Sequence, residues 1–147
     1  MLTDRLTSFG WPVDLDTSGT GTEVLGDAVD AGAASANLGV GIPFYLYLAT
    51  SDEVTSGGAA TVQFELVTAD NEALTTNDEV VMTTTEFALA DLGADTVLFV
   101  GAIPMRNYRR WIGLRQVTGA AALTGGSLYA TMTQEPDQWR AYPEGMN

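Results

Sequence analysis

A chain of 147 residues with 46% hydrophobic and 17% charged side chains suits one domain with a single sizeable core; it is too short for two ordinary domains and too apolar for a disordered acidic polymer. Its formal charge of -13, from 19 acidic and 6 basic residues, repels nucleic acid and anionic membranes, so neither is expected as a partner. With no Cys and no His, it lacks disulfides, thiolate metal sites, thiol nucleophiles and the usual neutral-pH general base, which excludes most hydrolase triads and zinc sites.

The opening Met1-Leu-Thr-Asp-Arg5 has no basic stretch followed by an apolar core. No apolar run approaches the roughly 18 to 20 residues that span a bilayer, so a soluble chain without a secretion address is expected. Residues 1–22 are rich in Thr, Ser, Gly and Asp and hold no sustained period. They read as an extended N-terminal arm, not a core strand, that carries two large apolar side chains, Phe9 and Trp11, onto its own domain or onto a neighbouring subunit.

From residue 23 to 134 short β-rich runs alternate with Gly, Asp, Asn and Pro clusters, the pattern of a sandwich or barrel. Ile42-Pro-Phe-Tyr-Leu-Tyr-Leu48 alternates Phe44 and Leu46 against Tyr45 and Tyr47 behind a Pro43 start. Thr61-Val-Gln-Phe-Glu-Leu66 places Val62, Phe64 and Leu66 on one face and polar residues on the other, which predicts a half-buried strand. Residues 79–84 form another candidate, and Thr96-Val-Leu-Phe-Val100 reads as a strand buried on both faces. Residues 109–118 set Ile112 and Leu114 against Trp111, Arg115 and Val117. Gly125-Gly126 then looks like the turn of a hairpin into residues 127–133, with Leu128, Ala130 and Met132 on one side. No long helix or internal repeat emerges. About seven or eight strands make an all-β, two-sheet antiparallel β-sandwich or jelly roll, followed by an extended C-terminal tail over residues 135–147.

Three patterns could carry chemistry and fall short. Asp14-Leu-Asp16-Thr-Ser18-Gly19 resembles the opening of a calcium loop, but the twelfth position is Leu25 in place of a bidentate Glu, and a plain acidic turn is the simpler reading. The Gly-rich residues 19–26 have no following Lys-Ser or Lys-Thr to cradle phosphate. Acidic pairs such as Asp70 with Glu72 or Asp78 with Glu79 are ordinary loop tips unless a cleft separates them suitably. No catalytic residue, metal ligand or cofactor site is assigned, and no enzymatic activity is expected.

The bases are more telling. All six are Arg, and Arg106, Arg109, Arg110 and Arg115 fall within ten residues. Arg is weakly hydrated and forms planar bidentate contacts suited to interfaces, although a genomic GC bias or a saline habitat would also deplete Lys. With Tyr108 and Trp111 between them, these residues either pair with carboxylates of a partner or neutralise the chain's own acids. Trp139, Arg140 and Tyr142 repeat that chemistry in a tail too short to form a core.

Several segments together resemble the Bbp16-like capsid cement proteins of tailed phages. They are the opening through Phe9, Asn37-Leu-Gly-Val-Gly-Ile-Pro-Phe-Tyr-Leu46, Phe64-Glu-Leu-Val-Thr-Ala-Asp-Asn71, Leu123-Thr-Gly-Gly-Ser-Leu-Tyr-Ala130 and Trp139-Arg-Ala-Tyr-Pro-Glu-Gly145. The resemblance implies a jelly roll on the outer surface of the virion capsid that forms a homo-oligomer, dimer or trimer, and clamps neighbouring major capsid proteins against internal DNA pressure. It supplies no residue-level site. From the residues themselves, the expected capsid or subunit contacts are Phe9, Trp11, Arg106, Tyr108, Arg109, Arg110, Trp111, Arg115, Trp139, Arg140 and Tyr142. The alternative is a carbohydrate-binding β-sandwich on the virion surface, with Trp11, Tyr45 or Trp139 stacking on sugars.

Overall fold

A computed structural model describes residues 8–31, 36–38, 44–104 and 106–133. In it the alternating runs become strands because each has one apolar face to bury. The elements are β1 (Ser8–Asp14), β2 (Gly21–Asp30), β3 (Ala36–Leu38), β4 (Tyr45–Ser56), β5 (Thr61–Ala69), β6 (Glu79–Thr83), β7 (Phe87–Ala88), a 3-10 turn (Leu89–Asp91), β8 (Val97–Ala102), β9 (Arg106–Tyr108), β10 (Trp111–Gly119) and β11 (Leu123–Thr133).

Pairing follows a mirror rule. Strand β1 pairs with β11, β2 with β10, β3 with β9 and β4 with β8, all antiparallel. At the tip, β5 pairs with both β6 and β7. The chain is thus one long antiparallel ribbon, and it is rolled up so that β11 also meets β4 and β10 also meets β5. Rolling creates a four-stranded sheet ordered β1-β11-β4-β8, a five-stranded sheet ordered β2-β10-β5-β6 with β7 also on β5, and the small β3-β9 pair. The two large sheets pack as a sandwich, and their strand order is that of a jelly roll. Between them lie Phe9, Leu46, Leu48, Leu128, Ala130 and Met132 from the first sheet, and Leu25, Val62, Phe64, Leu66, Ile112 and Leu114 from the second. Each such buried large side chain contributes about 1.5–3 kcal/mol by leaving water.

Three expectations are corrected by this topology. Residues 8–14 are a strand of the core and not part of an arm: β1 pairs with β11 from Ser8↔Thr131 to Asp14↔Ser127 and delivers Phe9 into the core. Residues 109–118 and 127–133 do not form a hairpin, since β10 and β11 lie in different sheets and face one another across the core. The chain crosses over at residues 120–122, while Gly125 and Gly126 lie within β11 at shifts of its register with β4. Gly126 has φ +132, and a Cβ there would stand 3.0 Å from Val54 Cα, so the glycine serves a bulge and not a turn. Finally, β8 is not doubly buried; it is the edge strand beside β4, with Val97 56% and Val100 40% exposed.

Buried polar side chains tie the connections down. Gln116, 1% exposed in β10, accepts a hydrogen bond from Asp16 N at 2.9 Å and donates to Asp16 O at 3.1 Å, which fixes the segment between β1 and β2. Thr50 Oγ1 donates to Gly93 O at 2.5 Å and accepts from Thr96 N at 2.8 Å, which clamps the turn before β8 onto β4.

Candidate interaction surface

The start of β10 and the segment preceding it bring three arginines to one end of the second sheet. Arg106 reaches Glu79 at 2.5 Å, and Arg109 reaches Asp70 at 3.1 Å and Glu79 at 3.5 Å. Arg110 forms a two-point contact with Asp30, Nε to Oδ1 at 3.1 Å and Nη2 to Oδ2 at 3.0 Å. Further along the strand, Arg115 donates to Asp78 at 2.7 Å and to Leu74 O at 2.7 Å. The register of β10 explains the convergence: Trp111 lies opposite Asp30 on one side and Ala69 on the other, so Asp70 follows directly, and Thr68 faces Glu79 across β5 and β6.

Within the chain itself, all four arginines meet the chain's own carboxylates. The carboxyls of Asp70, Asp78 and Glu79 are held below the ordinary carboxylate range. Hydrogen bonding does most of this: from Asn77 and then Arg109 to Asp70, from Arg115 to Asp78, and from Arg106 to Glu79. Arg109 and Arg110 are correspondingly raised, chiefly by their hydrogen bonds to Asp70 and Asp30. Two guanidiniums also lie over rings, Arg106 over Tyr108 at 5.7 Å and Arg110 over Trp111 at 5.5 Å.

The aromatic residues divide. Phe9 is 1% exposed and Tyr108 0%, so both are core side chains, and the expectation that they present contact surface is corrected. Phe9 points inward because β1 is a true strand of the sandwich. The Tyr108 hydroxyl is satisfied by donating to Pro104 O at 2.5 Å, and burial pushes its pKa up to about 12. Trp11 and Trp111, far apart in sequence, line one cleft of about 660 Å³ between β1 and β2, together with Pro12, Asp27, Ala28 and Asp30. Trp11 also packs on Tyr129 at 4.4 Å and Tyr47 at 6.0 Å between ring centres, across three neighbouring strands of the first sheet. Trp139, Arg140 and Tyr142 lie outside the described residues.

Residues 17–132 match the Bbp16 family. The chain belongs to the Bbp16 family. No curated protein matches it. The Bbp16 match runs from the segment before β2 to the penultimate residue of β11, so the Arg–carboxylate zone and Trp111 lie within it, while Trp11 precedes it.

Sequence reasoning missed Asp30, Asp70, Asp78 and Glu79 as arginine partners and Tyr47 and Tyr129 as neighbours of Trp11. Arg110 and Asp30 are 80 positions apart, and no periodicity links them; only the pairing of β2 with β10 does. The acidic turn has a local role, with the Asp16 carboxylate accepting from Ser18 Oγ at 2.8 Å and Ser18 N at 3.3 Å. Among the described residues no group of three or more Asp or Glu side chains is placed to hold a metal ion, and no helix is long and apolar enough to cross a membrane.

Proposed function

We propose that this protein is a capsid cement protein: a non-enzymatic jelly roll that binds the exterior of a phage capsid as a homo-oligomer and clamps neighbouring major capsid proteins. The observation that supports the reading is its Bbp16 membership over residues 17–132, joined to the cement role that the sequence resemblance implies. The physics of the fold suits such work. A sandwich closed by a continuous core is a rigid body, and a rigid oligomer touching several capsomers gains effective concentration for every contact after the first. Arg109, Arg110 and Trp111 are only partly covered at one end of that body, and Trp and Arg dominate binding hot spots.

The test is to mix the protein with undecorated capsids of its parent phage, sediment them, and compare capsid survival on heating. Saturable co-sedimentation with raised heat resistance is the expected result; absence of binding across salt and calcium concentrations overturns the reading. Replacing Arg109 and Arg110 together by Ala weakens retention while leaving the fold intact, because exposed ion pairs add little to stability. A carbohydrate-binding module is the second reading, favoured by the gathering of Trp11, Tyr47 and Tyr129 on the first sheet. A glycan array with wild type and Trp11→Ala separates the two.

A further inference from the structure

We infer that the cleft between β1 and β2 receives a basic side chain, Arg or Lys on an extended segment of a partner protein; the identity of that partner as a capsid protein rests on the cement reading.

Charge complementarity carries the inference. The chain has a formal charge of -13, and its four described arginines are each engaged with a carboxylate of the chain itself. The net field of the chain is therefore acidic, and a basic group on a partner complements it. Within the cleft, Asp27 is exposed, and its side chain has neither a hydrogen bond nor an ion pair with any described residue. Asp30, on the same strand, already holds one guanidinium, that of Arg110, which also lies over Trp111 at 5.5 Å. On two residues of the cleft lining, Asp30 and Trp111, Arg110 is thus one worked instance of a guanidinium between a carboxylate and an indole, and the same lining holds a second carboxylate, Asp27, and a second indole, Trp11. A volume of about 660 Å³ falls in the range of sites that enclose an organic group, and a cation set against an aromatic ring gains further from partial desolvation.

The experiment uses the full-length ¹⁵N-labelled protein, whose three Trp residues give three indole N–H signals assignable by single Trp→Phe variants. It is titrated near physiological salt with an acetylated, amidated Gly-Arg-Gly-Arg-Gly peptide, with the same peptide carrying citrulline for Arg, and with chitotriose. Saturable shifts of the Trp11 and Trp111 signals with the Arg peptide alone are expected. Asp27→Asn should weaken that binding roughly fivefold, the scale of one exposed charge pair, without changing Tm. Shifts spread evenly over the acidic surface, an Asp27→Asn variant that binds undiminished, or movement of the two indoles by chitotriose instead would each overturn the inference. Capsid sedimentation keeps it separate from the cement reading. Wild type and Asp27→Asn retained equally on capsids overturns the cleft assignment and leaves the cement role standing. Wild type not retained at all overturns the cement role, and the peptide titration still decides the cleft.

Discussion

Gly26 shows how one position holds two sheets together. Its φ is +61, and a Cβ would come within 1.8 Å of Phe9 O, so β2 touches the backbone of β1 there and no side chain fits. Gly26→Ala should cost about 3 kcal/mol or more, combining left-handed strain with a backbone clash; urea unfolding followed by Trp fluorescence measures it. At the same scale, the Arg–carboxylate zone sets a pH dependence. The folded pKa values of Asp70, Asp78 and Glu79 lie below the ordinary 3.8 and 4.5, so the stability they add is fully present above those ordinary values and is lost as pH falls through the lower folded ones. Asp70 is held down first by Asn77, which has φ +50, and then by Arg109. Asn77→Gly, which keeps that backbone conformation accessible, should raise the Asp70 midpoint in a carboxyl NMR titration, and Arg109→Gln, which removes both a hydrogen bond and a charge, should raise it too.

Among the elements, β10 and β8 show why an apolar run does not by itself reveal a strand's place in a sheet. Both were legible as strands. Strand β10 is interior, paired on both sides by β2 and β5, and its Ile112 and Leu114 are buried. Strand β8 has an equally apolar run but lies on an edge, with Val97 mostly exposed. The two positions should therefore respond differently to truncation. Leu114→Ala should cost about 2–5 kcal/mol, the range for cavity-forming core changes, whereas Val97→Ala should stay within about 0.5 kcal/mol, as surface changes do; the midpoints of paired chemical denaturation curves check both. Strand β1 makes the converse point. Its sequence holds Gly10, Pro12 and two register shifts against β11, so no clean period of two survives to announce it, yet Phe9 is as buried as any residue of the core.

For the molecule as a whole, charge and topology each have a consequence. The described arginines are matched with carboxylates, so the remaining acids repel one another without compensation. Screening should relieve that repulsion, and raising salt from about 0.01 to 0.15 M at pH 7, where the Debye length shrinks from about 30 to 8 Å, should raise Tm in a calorimetric scan. The rolled ribbon brings the first described strand against the last, and such non-local pairing places folding among the slow, all-β class. The sequence by itself determined the all-β class, the inward faces of β5, β10 and β11, and the concentration of Arg around Trp111, because side-chain alternation and composition are local properties. Only the tertiary structure decided that β10 and β11 face each other across the core, that β8 is an edge, that Phe9 and Tyr108 are buried while Trp11 and Trp111 share a cleft, and that the arginines are matched by Asp30, Asp70, Asp78 and Glu79. The physical reason is that a strand's pattern encodes which face it buries, whereas its neighbours follow from how the whole ribbon rolls, and that depends on contacts between residues far apart along the chain.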